Sequence, residues 1–309
     1  MSVSGRCTLM AVCAFGLFEV EKEKCICYTQ KNGIKGVKIV HKEKGFETVK
    51  IFNTINLIAL QTVSTSKGNQ RKWFDDKEQL YVKEQFYFQG KYWRDDLVEV
   101  IATEIARFLP SCGIEVVEQK LCDIVDAGRI TKGVFSHNFL HGNEKLITLQ
   151  RVLESKYVNY KVTDSVKDNW QFLLENIKQY TGLDYTEYFI VMTILDYLVG
   201  NEDRHLNNIA FLLDDEFKQA PLFDFGLGLF EHDRRYEELS FRECLIKMQS
   251  KPFCRDNQKV IDFITAHYNI SNYLPDEIDL TGIQIPSLKA GSYLRNRCMN
   301  LGINLRGVE

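Results

Sequence analysis

Apolar and polar positions along the chain fall into stretches of two different periods. Leu80-Tyr81-Val82-Lys83-Glu84-Gln85-Phe86 alternates apolar and polar residues, the period of a strand. Arg94 to Leu109 instead repeats apolar residues at Leu97, Ile101, Ile105 and Phe108, which predicts a helix. Asp95 and Asp96 suit its first turn, and Pro110 and Gly113 end it. Gly113 to Val125 and Arg129 to Phe135 read as two strands around an Asp126-Ala127-Gly128 turn. Tyr185 to Val199 is apolar almost all round, as expected of a helix buried in a core. Ile209 to Leu213 is a short apolar run bounded by Asp214-Asp215, a strand signal. Helical patterns run from Leu149 through Tyr180 and return after Phe230, at Gln258 to Tyr268 and Ser287 to Met299. Lys24 to Thr48 alternates around Lys31-Asn32-Gly33, Lys35-Gly36 and Lys44-Gly45, which predicts a small lysine-rich β-meander. The pattern is that of an α+β chain, β-rich first and α-rich later.

Between the buried helix and the short strand lies Gly200-Asn201-Glu202-Asp203-Arg204-His205-Leu206-Asn207-Asn208, and Phe223-Asp224-Phe225-Gly226 follows. Phosphoryl transfer needs an Asp that orients the attacking hydroxyl, and an Asn and a second Asp that hold Mg²⁺ against nucleotide phosphates. Asp203, Asn208 and Asp224 supply those types in register with the flanking apolar runs. The predicted order is buried helix, polar loop, short hairpin and metal-binding Asp.

Asp-Arg-His-x-x-Asn followed by Asp-x-Gly resembles the catalytic and metal loops of the HipA-like serine/threonine kinases, above all the CtkA-like branch. In that branch Gly-Asn-x-Asp-Arg-His and Ala-Pro-hydrophobic-Phe-Asp both recur, as here at 200–205 and 220–224. Phosphatidylinositol 3- and 4-kinases share the Asp-Arg-His-x-x-Asn and Asp-Phe-Gly pair, so the motifs leave the substrate open. The resemblance begins near Asn56 and implies a two-lobed protein-kinase-like fold, with a small β-rich lobe, a large α-rich lobe and ATP in the cleft between them. It implies Lys83 as the phosphate-contacting lysine and Glu99 as its partner, with Glu104 and Arg107 left to solvent. Gly68-x-Gln70-x-Lys72 resembles the HipA phosphate loop, where upstream hydroxyls are autophosphorylated. Ser66, Gly68 and Gln70 are therefore expected at the nucleotide, and Ser64 and Ser66 as autophosphorylation sites. Val134, Phe135 and Ser136, running into His137-Asn138, are expected at the hinge that meets adenine. His205, beside Asp203, is expected as a buried imidazole that stabilises the catalytic loop by hydrogen bonding, and Arg204 as the partner of a nearby carboxylate.

The implied units are an N-terminal extension at 1–50, a kinase N-lobe at 51–138 and a helical C-lobe at 139–309. The implied cofactors are ATP and Mg²⁺. The implied partner is a protein with a Ser or Thr acceptor, with an antitoxin or a host protein as further candidates. The open alternatives are a lipid kinase and a nucleotide-binding pseudokinase. Glu231 to Glu238 carries four acidic and two basic residues, a poor match for an anionic membrane.

Composition narrows the class. The 309 residues are 45% hydrophobic and 26% charged, with a net charge of −3. That balance supports a packed core and gives no basic footprint for nucleic acid. The nine cysteines form no C-x-x-C pair. Cysteines so scattered fit a reducing compartment. Cys7 to Phe18 is weakly apolar without an A-x-A-like cleavage site, so no signal peptide and no membrane span are expected. The location expected is the bacterial cytoplasm, with export as an effector left open.

Overall fold

The computed structural model describes residues 49–60, 70–110 and 113–308, and the strands at 19–21, 24–31 and 34–40. The expected phosphate loop, with Ser64, Ser66 and Gly68, lies outside the described residues, as do Cys7 to Phe18 and the turns at 32–33 and 44–45. Strands β1 (Glu19–Glu21), β2 (Lys24–Lys31) and β3 (Ile34–Val40) form an antiparallel meander in the lysine-rich segment.

A six-stranded sheet follows, built from β4 (Lys50–Asn53), β5 (Ile58–Leu60), β6 (Lys72–Asp75) and β7 (Leu80–Glu84). After the β8 (Tyr87–Phe88) and β9 (Lys91–Tyr92) hairpin and helix α1 (Asp95–Ala106), β10 (Lys120–Asp126) and β11 (Arg129–His137) complete it. The order is β4-β10-β11-β7-β6-β5, antiparallel except where β4 runs parallel to β10. Alternation along β7 buries Leu80 and Val82 in a small core with Phe52, Trp73, Cys122 and Ile124. The same period turns Lys83 to the other face, toward α1.

Two boundaries differ from the periodicity. Helix α1 stops at Ala106, because the amides of Arg107, Phe108 and Leu109 bond three residues back rather than four. Residues 113–119 do not extend β10. Val117 donates to the Leu222 carbonyl (2.8 Å) and Leu222 donates to that of Glu115 (2.7 Å), so this segment leaves the sheet to brace the chain just before Asp224.

The second half is mainly helical. Strands β12 (Lys145–Thr148), β13 (Ala210–Leu213) and β14 (Phe217–Gln219) form a small antiparallel sheet beside it. The helical pattern of 149–180 resolves into α2 (Leu149–Ser155) and α3 (Val166–Thr181). Tyr157 takes a left-handed backbone (φ 58°), which ends the first helix, and the Ser165 hydroxyl caps the second. Helix α4 (Thr186–Val199) buries Tyr188 to Val199 and is the axis of the main core. Trp170, Phe189 and Phe253 pack together there, with ring centroids 4.5–5.4 Å apart. Helices α5 (Arg235–Glu238), α6 (Phe241–Lys247) and α7 (Asn257–His267) follow. Strand β15 (Glu277–Asp279), α8 (Leu288–Asn300) and β16 (Asn304–Arg306) close the lobe. Among the described residues no helix is long and apolar enough to cross a membrane. The whole is a mixed α+β fold, a curled sheet on one side and helices on the other.

Gly200 ends α4 in the left-handed region (φ 62°), where a Cβ would meet Met248 Cε and Tyr293 Cζ at 2.9 Å. Gly200→Ala therefore combines backbone strain with overpacking and is expected to destabilise by about 2 kcal/mol or more. Urea unfolding measures it, and unchanged stability would contradict this packing.

Candidate active site

The loop after α4 is organised from beneath by Arg204, whose side chain is 0% exposed. Its Nε and Nη2 donate to the two carboxylate oxygens of Asp196 on α4, both at 2.9 Å. Its Nη1 donates to the carbonyls of Asn208 (3.0 Å) and Phe223 (2.6 Å), and the guanidinium lies 4.5 Å from the Phe225 ring centroid. One side chain thus fastens the buried helix, the loop at 203–208 and the approach to Asp224. The partner carboxylate expected of Arg204 is Asp196. Asn201 adds to the clamp, donating to Asp196 Oδ1 (2.9 Å) and accepting from the Asp203 amide (3.1 Å).

Because Arg204 takes the interior position, the next residue turns outward. The His205 side chain is 42% exposed and its Nε2 stands 3.6 Å from Asp203 Oδ2. The expected buried, satisfied imidazole is therefore corrected. Its shielded Nδ1 has no hydrogen-bond partner among the described residues.

Facing this loop, Lys83 Nζ donates to Glu99 Oε1 (2.7 Å) and to Asp224 Oδ1 (2.8 Å). Glu99, one helical turn into α1 and buried, also accepts from the Phe225 amide at 3.0 Å. Burial opposes the charge of Lys83, but Asp224 and Glu99 outweigh it, so the ammonium titrates above the usual lysine range. Burial alone would raise the Asp224 carboxyl, and Lys83 with Lys72 outweighs it and holds it well below the usual carboxylate range. Asp224 has a left-handed backbone (φ 61°), a strained conformation for a residue with a Cβ. Gly226 allows the approach of α1, since a Cβ there would stand 3.2 Å from Glu99 Oε1. Glu104 pairs with Arg107 at the surface, in line with its expected solvated position.

These residues border a cavity of about 400 Å³, lined by Lys72, Lys83, Glu99, Ser136, Asn208 and Asp224 and by apolar Leu60, Phe139, Leu140, Leu146 and Phe223. Asn208 Nδ2 donates to the Asp203 carbonyl (3.0 Å), which leaves its amide oxygen as the acceptor end. Asn208 and Asp224 are oxygen donors of the kind a hard cation takes. Among the described residues no three His, Cys, Asp or Glu side chains are placed to hold a metal by themselves. Such a pair fits Mg²⁺, which is held by one or two protein ligands together with substrate phosphates.

Other expected positions divide. Of Val134, Phe135 and Ser136, only Ser136 lines the cavity. Strand alternation turns Phe135 to the far face against Phe52 (centroids 5.4 Å apart) and sets Val134 beside Lys83 within the sheet. The strand also continues to His137, so Phe139 and Leu140 past its end join Ser136 in the cavity wall. Gln70 is turned from the cavity. Its amide nitrogen donates to Asp95 Oδ2 (2.7 Å) and the Glu84 carbonyl (3.0 Å), tying the residue just before β6 to the end of β7 and the start of α1. Burial pushes the Asp95 carboxyl up to about 7 against the pull of Lys83.

Two polar contributors lie outside the sequence reading, and a third, Lys72, enters it only as the last residue of the Gly68-x-Gln70-x-Lys72 motif. Lys72 lies directly across from Lys83 on the neighbouring strand. Glu202, buried, accepts from Tyr236 Oη (2.6 Å) and the Gln249 amide (2.7 Å) and pairs with His232 Nε2 (2.7 Å). Burial works against its ionisation, and those partners outweigh burial and lower its pKa. Lys251 Nζ donates to Asp203 Oδ1 at 2.9 Å. The strand register adds that Lys72 faces Lys83, and the other two depend on folding across the helical lobe.

Arg204→Ala leaves Asp196 as an unpaired buried charge and is expected to cost about 3–5 kcal/mol. An Arg204→Met/Asp196→Leu double variant is expected to regain stability, measured by denaturant unfolding, without restoring the loop geometry. A single Arg204→Ala variant as stable as the parent would contradict the clamp.

No protein-family model matches the chain, and no curated protein matches it. The solved structures similar to it include two kinase-type proteins. The Helicobacter pylori proinflammatory kinase CtkA aligns with a TM-score of 0.49 and 19% identity, over 80% of this chain and 83% of that one. The Shewanella oneidensis HipA of a HipA–HipB–operator DNA complex aligns with a TM-score of 0.40 and 12% identity, over 77% of this chain and 56% of the matched one. Both neighbours, CtkA and HipA, are kinase-like folds.

Proposed function

We propose that this chain is an ATP-dependent serine/threonine protein kinase that uses Mg²⁺ and is able to phosphorylate itself. The observation that carries the reading is the meeting of Lys83, Glu99, Asp224 and Asn208 on one cavity, with Asp203 beside it on the loop that Arg204 holds. Each has a role in that reading. Lys83, oriented by Glu99, presents a fixed positive charge to the nucleotide phosphates, and Lys72 adds a second from the next strand. Phe139, Leu140 and Leu146 supply an apolar wall suited to a purine, and the volume lies within the range of small-molecule sites. Asp224 and the Asn208 amide oxygen would hold Mg²⁺, which offsets charge on the phosphate oxygens when bound. Asp203 orients the acceptor hydroxyl and accepts its proton as the new O–P bond forms.

A protein acceptor is favoured over a lipid by the segment after Asp224. Its His232 and Tyr236 fold back onto Glu202, and the stretch is mainly acidic. Such a surface suits a polypeptide better than an anionic bilayer. Ser64 and Ser66 are the proposed self-modification sites. Phosphate there would add about −1.5 to −2 charge next to the nucleotide and weaken its binding.

Incubation with γ-labelled ATP and Mg²⁺ tests the reading. Label should appear as phosphoserine or phosphothreonine, and Asp203→Asn should reduce its rate by about 100-fold or more. Undiminished incorporation in Asp203→Asn would overturn the assignment. Mass spectrometry of the labelled chain with no phosphate at 62–72 would remove the self-modification sites while leaving the kinase reading in place.

A further inference from the structure

The segment Met248 to Cys254 lies far from the Asp203 loop in sequence and is fixed against it from several sides. The Gln249 amide donates to Glu202 Oε1 at 2.7 Å, so the residue preceding Asp203 holds the residue two before Lys251. The Ser250 amide donates to the Arg255 carbonyl at 3.2 Å. On the other side, Tyr160 Oη donates to the Pro252 carbonyl (2.8 Å) and Asn169 Nδ2 to that of Phe253 (2.6 Å). The Phe253 ring, 1% exposed, is seated between Trp170 and Phe189 in the main core. None of these attachments uses the Lys251 side chain. Together they fix its backbone on both flanks and leave its ammonium, on a side chain 35% exposed, at 2.9 Å from Asp203 Oδ1.

We propose that Lys251 is a positioning residue for phosphoryl transfer: its ammonium holds the Asp203 carboxylate in one orientation and sets a positive charge beside it. The inference rests on the kinase reading given above. A part-exposed ion pair contributes little to stability, so holding the fold is a poor account of a segment built this rigidly. The two Asp203 oxygens also have different neighbours, Lys251 on Oδ1 and His205 on Oδ2 at 3.6 Å. With Lys251 on Oδ1 and His205 near Oδ2, the carboxylate that takes the acceptor proton is oriented by its neighbours. In the step, the acceptor oxygen forms its bond to the γ-phosphorus, the bond from that phosphorus to the β,γ-bridging oxygen breaks, and its electron pair leaves on ADP. The proton passes from the acceptor hydroxyl to Asp203. Lys251 stays an ammonium throughout and offsets negative charge next to the transferring group.

Two measurements test this. The first needs no turnover. Trace acetylation with acetic anhydride, read by mass spectrometry, should label Lys251 several-fold faster in Asp203→Asn than in the parent, relative to an exposed lysine such as Lys218. Equal labelling would show that the pair does not form in solution and would overturn the proposal. The second compares steady-state rates of the parent, Lys251→Gln and Lys251→Arg. Lys251→Gln should lower kcat by about 10- to 100-fold with KM for ATP within about twofold, and Lys251→Arg should recover part of the loss. An unchanged kcat, or a loss confined to KM for ATP, would overturn it. Circular dichroism checks that the variants fold; should Lys251→Gln not fold, equal acetylation of Lys251 in Asp203→Asn and the parent overturns the proposal on its own. An inactive parent sinks the kinase reading and this inference with it, whereas an active parent with an indifferent Lys251 sinks the inference alone.

Discussion

Arg204 is wholly buried and still charged, and the geometry of the candidate site depends on how it is compensated. A guanidinium taken out of water is tolerable only with its charge paired and its donors occupied. Asp196 accepts from it through both oxygens, and the carbonyls of Asn208 and Phe223 take the other end. Asp196 sits on α4, the helix around which the core is packed. The loop with Asp203 and the approach to Asp224 are therefore referenced to a helix buried in the main core. Gly200 permits the sharp exit from α4 that this arrangement needs, and Asn201 completes the hydrogen bonding of Asp196.

The other half of the site is referenced to the sheet. Lys83 is a strand residue whose direction follows from the two-residue period, and Glu99 follows from the register of α1. The contact that joins the halves runs from Lys83 to Asp224, and Glu99 reinforces it through the Phe225 amide. Asp224 reaches this position with its backbone in the left-handed region, a conformation that costs about 1–3 kcal/mol. Strain of that kind persists where neighbours over-determine it, and here Arg204, Lys83 and Glu99 hold three consecutive residues, Phe223 to Phe225.

Much of this was legible in the sequence, and what was missed has one physical cause. Local patterns carry local information. The alternation at 80–86 set the direction of Lys83, and the run of apolar residues at 185–199 marked the buried helix. Asp203, Asn208 and Asp224 stood out because one continuous stretch with fixed spacings brings their residue types together. Lys251, Glu202 and the Phe139 wall depend on contacts between distant segments, which periodicity does not encode. Phe135 was placed on the nucleotide side because the strand was read as ending early; two more residues of β11 and the strand's own alternation turn it away. The resemblance implies an interior His205, but the tertiary clamp buries Arg204 and leaves His205 half-exposed, which no local pattern encodes.

The central claim is that Asp224 and Asn208, opposite Lys83, form a metal-assisted nucleotide site. Calorimetric titration of ATP into the parent and into Asp224→Ala, each with and without Mg²⁺, tests it most directly. The account predicts one ATP per chain with an affinity that rises on adding Mg²⁺, and a loss of that Mg²⁺-dependent gain in Asp224→Ala of about tenfold or more, or about 1.4 kcal/mol. An identical Mg²⁺-dependent affinity in the two proteins would contradict it.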